Sequence, residues 1–197
     1  MAWIDYLRNS PVWEENKEII TEMDKDVVKL RMVTERFSSI GSKPVIQSGN
    51  VYEAIDETIN YLRPRISTKV DLNIHADTKD LDAMMNKPLF EWVIENICKN
   101  AVDAMKGKGQ IDITILQDSD KYVIIDITDT GKGMEKRMYK RVFNPGFSTR
   151  QRGWGLGLTL AKRIVEGYHG GRIFVKNSEV GVGTTFRLLL HGNHEGA

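Results

Sequence analysis

At 197 residues, with 41% hydrophobic and 28% charged residues, the chain has the composition of a globular protein with room for one ordinary domain and an appendage. A formal net charge of +1 argues against a general nucleic-acid surface or a dedicated membrane-surface patch, and no apolar run reaches the length of a membrane-crossing helix. The single cysteine, Cys98, excludes an intrachain disulfide and, lying in a helical pattern, reads as a small buried apolar side chain in a reducing compartment.

The opening residues lack the charged flank and apolar centre of a signal peptide, so the expected location is cytoplasmic. If the natural protein is a membrane sensor, its sensing part is absent from this chain. A short apolar stretch at residues 3–7 ends at the breaker cluster Asn9, Ser10, Pro11. Helical periodicity then persists to Ile40, with Ile20, Met23, Val27, Leu30, Val33, Phe37 and Ile40 recurring at three- and four-residue steps. Such a stripe packs either on the chain's own globular domain or on a second copy of the chain. Coiled-coil-like spacing over this length favours the second copy. Gly41, Ser42, Lys43 and Pro44 end the helix and set the expected boundary: a helical segment at 1–43, a domain at 44–192 and a tail at 193–197.

Within the domain, residues 45–47 read as a short strand. Asn50 followed by Glu53 has capping-box form and opens a helix with Val51, Ile55, Ile59 and Leu62 on one face. Residues 69–75 alternate as a half-buried strand, and 89–105 form a helix stopped by Lys106, Gly107, Lys108 and Gly109. Residues 110–116 and 122–128 make an antiparallel pair. An amphipathic helix at 158–168, with Leu160, Ile164 and Val165 inward, stops at His169, Gly170 and Gly171. Strands at 172–176 and 185–190 close the sheet, and residues from His191 onward look like a frayed tail. The predicted class is α+β: a two-layer α/β sandwich with a mixed sheet, preceded by a helical segment.

Three stretches carry chemistry. Asn96, Asn100 and Asp103, spaced four and then three apart, share one face of the helix, and a polar stripe amid Val93, Ile97 and Val102 needs a partner that a magnesium nucleotide would supply. Asp129 closes an apolar strand beside a glycine turn, where its carboxylate can accept a hydrogen bond from an exocyclic amine, an adenine-reading geometry. Glycines at 131, 133, 153, 155 and 157 let backbone approach a ligand closely. Neither the phosphate-binding G-x-x-x-x-G-K-[ST] nor the dinucleotide G-x-G-x-x-G spacing is present.

In this order the motifs resemble the GHKL ATPase family and, within it, the catalytic domain of bacterial sensor histidine kinases. The helix around Asn96 and Asn100 matches the N box, Asp129 to Met134 the first glycine box, and Phe143 to Thr149 the F box. Gly153 to Leu158 matches the second glycine box, and Gly183-Thr184-Thr185-Phe186 the closing glycine-threonine motif. The N-terminal helices look like the end of a kinase dimerisation hairpin, which implies a homodimer in the full protein.

The resemblance implies ATP and Mg²⁺ as cofactors and a response-regulator receiver domain as partner, with no nucleic acid and no membrane contact by this chain. It makes Asn100 the metal ligand, with Asn96 and Asp103 within reach of its shell. Lys99 fits either phosphate neutralisation or a solvated surface. Asp129 would accept from the adenine amino group, with Thr185 or a water completing the edge, and Gly131 and Gly133 bring the next loop across the nucleotide. A short lid helix is expected at 134–141, anchored by Phe143 and Phe147. Phe143, Gly153, Gly155, Leu156, Gly157 and Leu158 belong to the implied cofactor-binding set, the glycines opening a helix whose N-terminal amides receive phosphate oxygens. Arg150 and Arg152 are either charge stabilisers in phosphoryl transfer or mobile surface charges.

The family's acceptor, a His followed by an acidic residue, is missing: His75, His169, His191 and His194 lie in a strand, a helix end and the tail. The chain is therefore expected to be a kinase fragment that binds ATP without phosphorylating itself. Two other classes compete. A GHKL regulatory module or serine-directed anti-sigma kinase needs no dimerisation stem, and gyrase or MutL type ATPases usually place an acidic base where this chain has Asn96.

Overall fold

The computed structural model describes Lys17 and residues 44–118, 121–148 and 155–193. The chain divides into two units, Met1–Pro44 and Val45–Ala197, and the fold below is that of the second. The helices expected at 3–7 and up to Ile40 lie outside the described residues, except that Lys17 is helical.

Strand β1 (Gln47–Asn50) leads into helix α1 (Val51–Leu62), whose first turn is capped by the Asn50 side chain accepting the Glu53 N–H at 2.9 Å. Val51, Ile55, Ile59 and Leu62 are buried on one face, as their spacing predicts. The strand expected at 45–47 is displaced, because its position is set by an antiparallel partner that pairs Gln47 with Met85 and leaves Val45 exposed. That partner, β3 (Asp82–Met85), is too short to announce itself by alternation.

Strands β2 (Val70–Ala76), β4 (Gly109–Asp118), β5 (Tyr122–Asp129), β6 (Arg172–Glu179) and β7 (Gly183–His191) form one mixed sheet in the order β2-β4-β5-β7-β6. Its β2–β4 pair is parallel and its other pairs antiparallel. Alternation sends Ile111, Ile113, Ile115, Ile125, Ile127, Phe186, Leu188 and Leu190 to the same face. They are buried in one core with the apolar sides of α1 and α2 (Lys87–Ala104), the latter supplying Phe90, Val93, Ile94, Ile97 and Ala101. Each of these Val, Ile, Leu and Phe side chains contributes about 1.5–3 kcal/mol. Among the described helices none is long and apolar enough to cross a membrane.

On the opposite face Asp126 is buried, and its carboxylate accepts from Arg187 Nε and Nη2, each at 2.7 Å, and from Lys176 Nζ at 2.8 Å. Burial pushes its pKa up, but the hydrogen bonds from Arg187 and Lys176 hold it below the ordinary carboxylate value.

Two helical expectations are corrected. The helix predicted at 158–168 is a short α3 (Gly157–Lys162) that widens into a π-helical turn (Arg163–Tyr168), with the His169 N–H donating to Ile164 O. The widening buries Ala161 with Ile164 and Val165 and leaves Leu160 only half-buried. The lid helix expected at 134–141 is two 3₁₀ turns (Lys136–Met138 and Arg141–Phe143), because Met134 N–H and the Tyr139 side chain bond to Ser178 of β6 rather than sustaining a helix. His191 is also strand and not tail: it pairs with Tyr122, Gly192 bridges to Ala83, and Asn193 N–H donates to Asp82 O.

Candidate functional site

Helix α2 is fixed at its start by one residue, Asn86. Its side-chain oxygen accepts the Leu89 N–H at 3.2 Å, its Nδ2 donates to Val45 O at 3.1 Å, and its backbone N–H donates to His169 Nε2 at 3.2 Å. Pro88 in the first turn suits a position where an N–H would have no helical partner. The apolar side of α2 enters the core; Asn96 and Asn100 are half-buried on its other side, with Lys99 and Asp103 exposed. Cys98 is buried, and burial pushes its thiol up to about 12, which makes it inert as a nucleophile.

Two loops come to rest on this helix. Past Asp129 the chain presses on the last turn of α2: Lys132 N–H donates to Ala104 O, and a Cβ on Gly131 would stand 2.7 Å from the Ala104 Cβ. That contact lies one turn beyond Asn100. At the other end, a Cβ on Gly157 would lie 2.4 Å from Asn96 Oδ1, so the glycine lets α3 start against the N box without displacing the Asn96 side chain. Gly155 likewise packs on the Gly146–Phe147 backbone, bringing the second glycine box against the F box.

Asp129 ends β5 between β4 and β7, is buried, and accepts the Gly131 N–H on Oδ1 at 2.8 Å. Burial raises its pKa, while hydrogen bonds from the backbones of Gly131 and Thr184 work against the rise. Gly133 has φ +62°, and a Cβ there would fall 1.8 Å from Glu179 O. Gly133→Ala is therefore expected to cost about 3 kcal/mol of stability, read as a lower urea midpoint, because a left-handed backbone and a main-chain clash oppose it together.

Several implied site residues stand differently from expectation. Thr185 does not share the side of Asp129: it pairs with Thr128, their hydroxyls 3.0 Å apart, on the opposite face of the sheet. Thr184 is the residue across from Asp129 and was missed, since nothing in a Thr-Thr pair reveals which one faces the core. Phe143 is buried edge-to-face on Phe186, centroids 6.2 Å apart, and its carbonyl accepts from Thr159 Oγ at 2.9 Å. These contacts anchor the F box to the core. Lys99 forms an ion pair with Glu95 one turn earlier. Leu156 is exposed and Leu158 half-buried at the start of α3. Arg150, Arg152 and Gly153 lie outside the described residues.

The implied metal fits the residues present. Among the described residues no cluster of three His, Cys, Asp or Glu side chains could hold a cation, so a magnesium ion here would depend on an amide oxygen, phosphate oxygens and water, a set that ion accepts. Asn96 Nδ2 is buried without a hydrogen-bond partner, which a ligand could relieve.

Comparison with known proteins agrees with this geometry. The signal transduction histidine-protein kinase AtoS of Escherichia coli K12 is 35% identical over 199 residues, covering 99% of this chain and 32% of AtoS. The chain thus spans about a third of that relative's length. The catalytic domain of the histidine kinase ThkA superposes with a TM-score of 0.67 at 26% identity, over 74% of this chain and 95% of that domain. ThkA in complex with the response regulator TrrA shares the fold, with a TM-score of 0.71 at 22% identity over 98% of this chain and 56% of ThkA. Residues 85–193, more than half of the chain and all of the motifs gathered on α2, match the family model, and the chain belongs to the histidine kinase-, DNA gyrase B-, and HSP90-like ATPases.

Proposed function

We propose that this chain is the ATP-binding catalytic part of a sensor histidine kinase, presenting the γ-phosphate of ATP to a histidine supplied from outside these residues, for relay to a response-regulator receiver domain. One observation carries the reading: the Asp129 loop and the second glycine box both close onto the N-box helix, at Ala104 and Asn96. The likeness to AtoS supports the kinase assignment. Bound ATP with magnesium supplies the phosphoryl group and the charge neutralisation for its transfer.

The chain's own residues bind and orient. Asn100 offers a hard amide oxygen to magnesium, and Asn96 and Asp103 stand on the same helix face. Asp129 accepts from the adenine amino group with Thr184 beside it. Arg150 and Arg152 stabilise charge on the transferring phosphoryl group. None of the described histidines suits the acceptor role. His169 is buried, His75 sits beside Asp112, and His191 Nε2 lies 3.1 Å from Gly170 O. Residues 1–43 supply a homodimer contact in the full protein. The domain works in the cytoplasm without contacting membrane or nucleic acid.

The test is calorimetric titration with ADP, with and without Mg²⁺, on the parent and Asn100→Ala. The parent should bind ADP and gain affinity from Mg²⁺; the variant should lose that gain, at least about tenfold. A parent that binds no nucleotide overturns the reading, and a variant with the full magnesium gain removes Asn100 as ligand.

A further inference from the structure

β6 is one of the two edge strands of the sheet, and its pairing with β7 slips by one residue between Val175 and Asn177. Lys176 is the extra residue of this bulge, and its side chain goes to Asp126 on the face away from the core. Beyond the bulge Ser178 pairs with Thr184, which in turn pairs with Asp129.

Ser178 is unusually well connected for an edge residue. Its Oγ donates to Gly183 O at 2.8 Å, accepts the Met134 N–H at 2.9 Å and lies 2.8 Å from Thr184 Oγ, from which it accepts. The Tyr139 hydroxyl donates to Ser178 O at 2.7 Å and accepts the Ser178 N–H, doing for this residue what a further strand would do. One serine therefore ties together the exit of the Asp129 loop at Met134, the following turn at Tyr139, and the strand residue whose backbone bonds the Asp129 carboxylate. The β6–β7 turn tightens the same contact, with Gly181 N–H donating to Lys132 O.

We propose that Ser178 and Tyr139 are positioning residues for nucleotide binding: they hold residues 131–139 against the β6–β7 hairpin and so keep Asp129 and Thr184 in register for the base. This rests on the nucleotide-binding reading above. Neither residue belongs to the buried apolar core; Tyr139 only packs against it, half-buried. Removing either hydroxyl frees the loop to shift while Lys132 remains bonded to Ala104. The node acts at the base end, so its loss should cost adenosine and ADP the same factor, with or without Mg²⁺.

The experiment measures dissociation constants for adenosine and for ADP, each with and without Mg²⁺, on the parent, Ser178→Ala and Tyr139→Phe, at a temperature where circular dichroism shows all three folded. Each variant should bind both ligands about tenfold more weakly, the factor unchanged by phosphate number or metal. Unchanged constants in folded variants, or a loss confined to ADP with Mg²⁺, overturn the proposal while leaving the nucleotide site standing. A parent that binds neither ligand overturns both. If Ser178→Ala does not fold, Tyr139→Phe, which keeps the ring, decides alone.

Discussion

Asp129→Asn is expected to weaken ADP binding about 100-fold while the domain stays folded. The carboxylate is buried and already receives backbone N–H donors from Gly131 and Thr184. It suits the proposed contact with an adenine amino group because an ionised carboxylate only accepts. An asparagine must turn its own NH₂ toward one of these donors, and no rotation of the amide avoids the conflict. Losing one charge-assisted bond and creating one donor–donor contact costs about 3 kcal/mol, which is about two decades in affinity. Calorimetry on the parent and variant checks it, with the denaturation midpoint separating a binding loss from a folding loss. Equal affinities would remove the adenine assignment.

Acidification should strip about 3 kcal/mol from stability between pH 6.5 and pH 4 through a single residue, His169. Burial lowers its pKa from the ordinary 6.5 to about 4. Its Nε2 accepts the Asn86 N–H, and its Nδ1 is buried without a hydrogen-bond partner. A proton on Nε2 would abolish that acceptor. Above pH 6.5 the imidazole is neutral in both folded and unfolded chains and the contribution is complete. Between 6.5 and 4 the unfolded chain takes up a proton that the folded chain refuses, so stability falls as pH falls. Below about 4 both bind it and the loss is finished.

Two carboxylates, unlike Asp129, act lower. Asp126 and Asp112 have pKa values held below the ordinary 3.8, so their stabilisation is present above 3.8 and is lost as pH falls through the depressed values. Urea unfolding from pH 7 to pH 4 should therefore decline steeply in the parent. In His169→Gln, whose amide oxygen can still accept from Asn86, the decline should flatten. An equally steep decline in that variant would assign the acid sensitivity to other groups.

What the sequence could reveal depended on whether a signal was local. Asn50 with Glu53 announced the start of α1, and the spacing of Asn96, Asn100 and Asp103 placed them on one side of α2, because both patterns close within a few residues. The alternation in β4 and β5 delivered Asp129 to a strand end for the same reason. The failures all depend on partners far away in the chain. β1 takes its position from β3, some 35 residues on. Which of Thr184 and Thr185 faces the site is decided by register with β5. The turns at 134–143 are not a helix because Ser178, about 40 residues later, takes their hydrogen bonds. Phe143 carried a family motif, but its aromatic ring serves the core through Phe186.

Asn86 holds the carbonyl of Val45, at the entrance to the domain, with one end of its side chain and the first turn of α2 with the other. The residue at which the chain enters the domain and the first turn of the helix that carries Asn96 and Asn100 are thus tied through one and the same amide group.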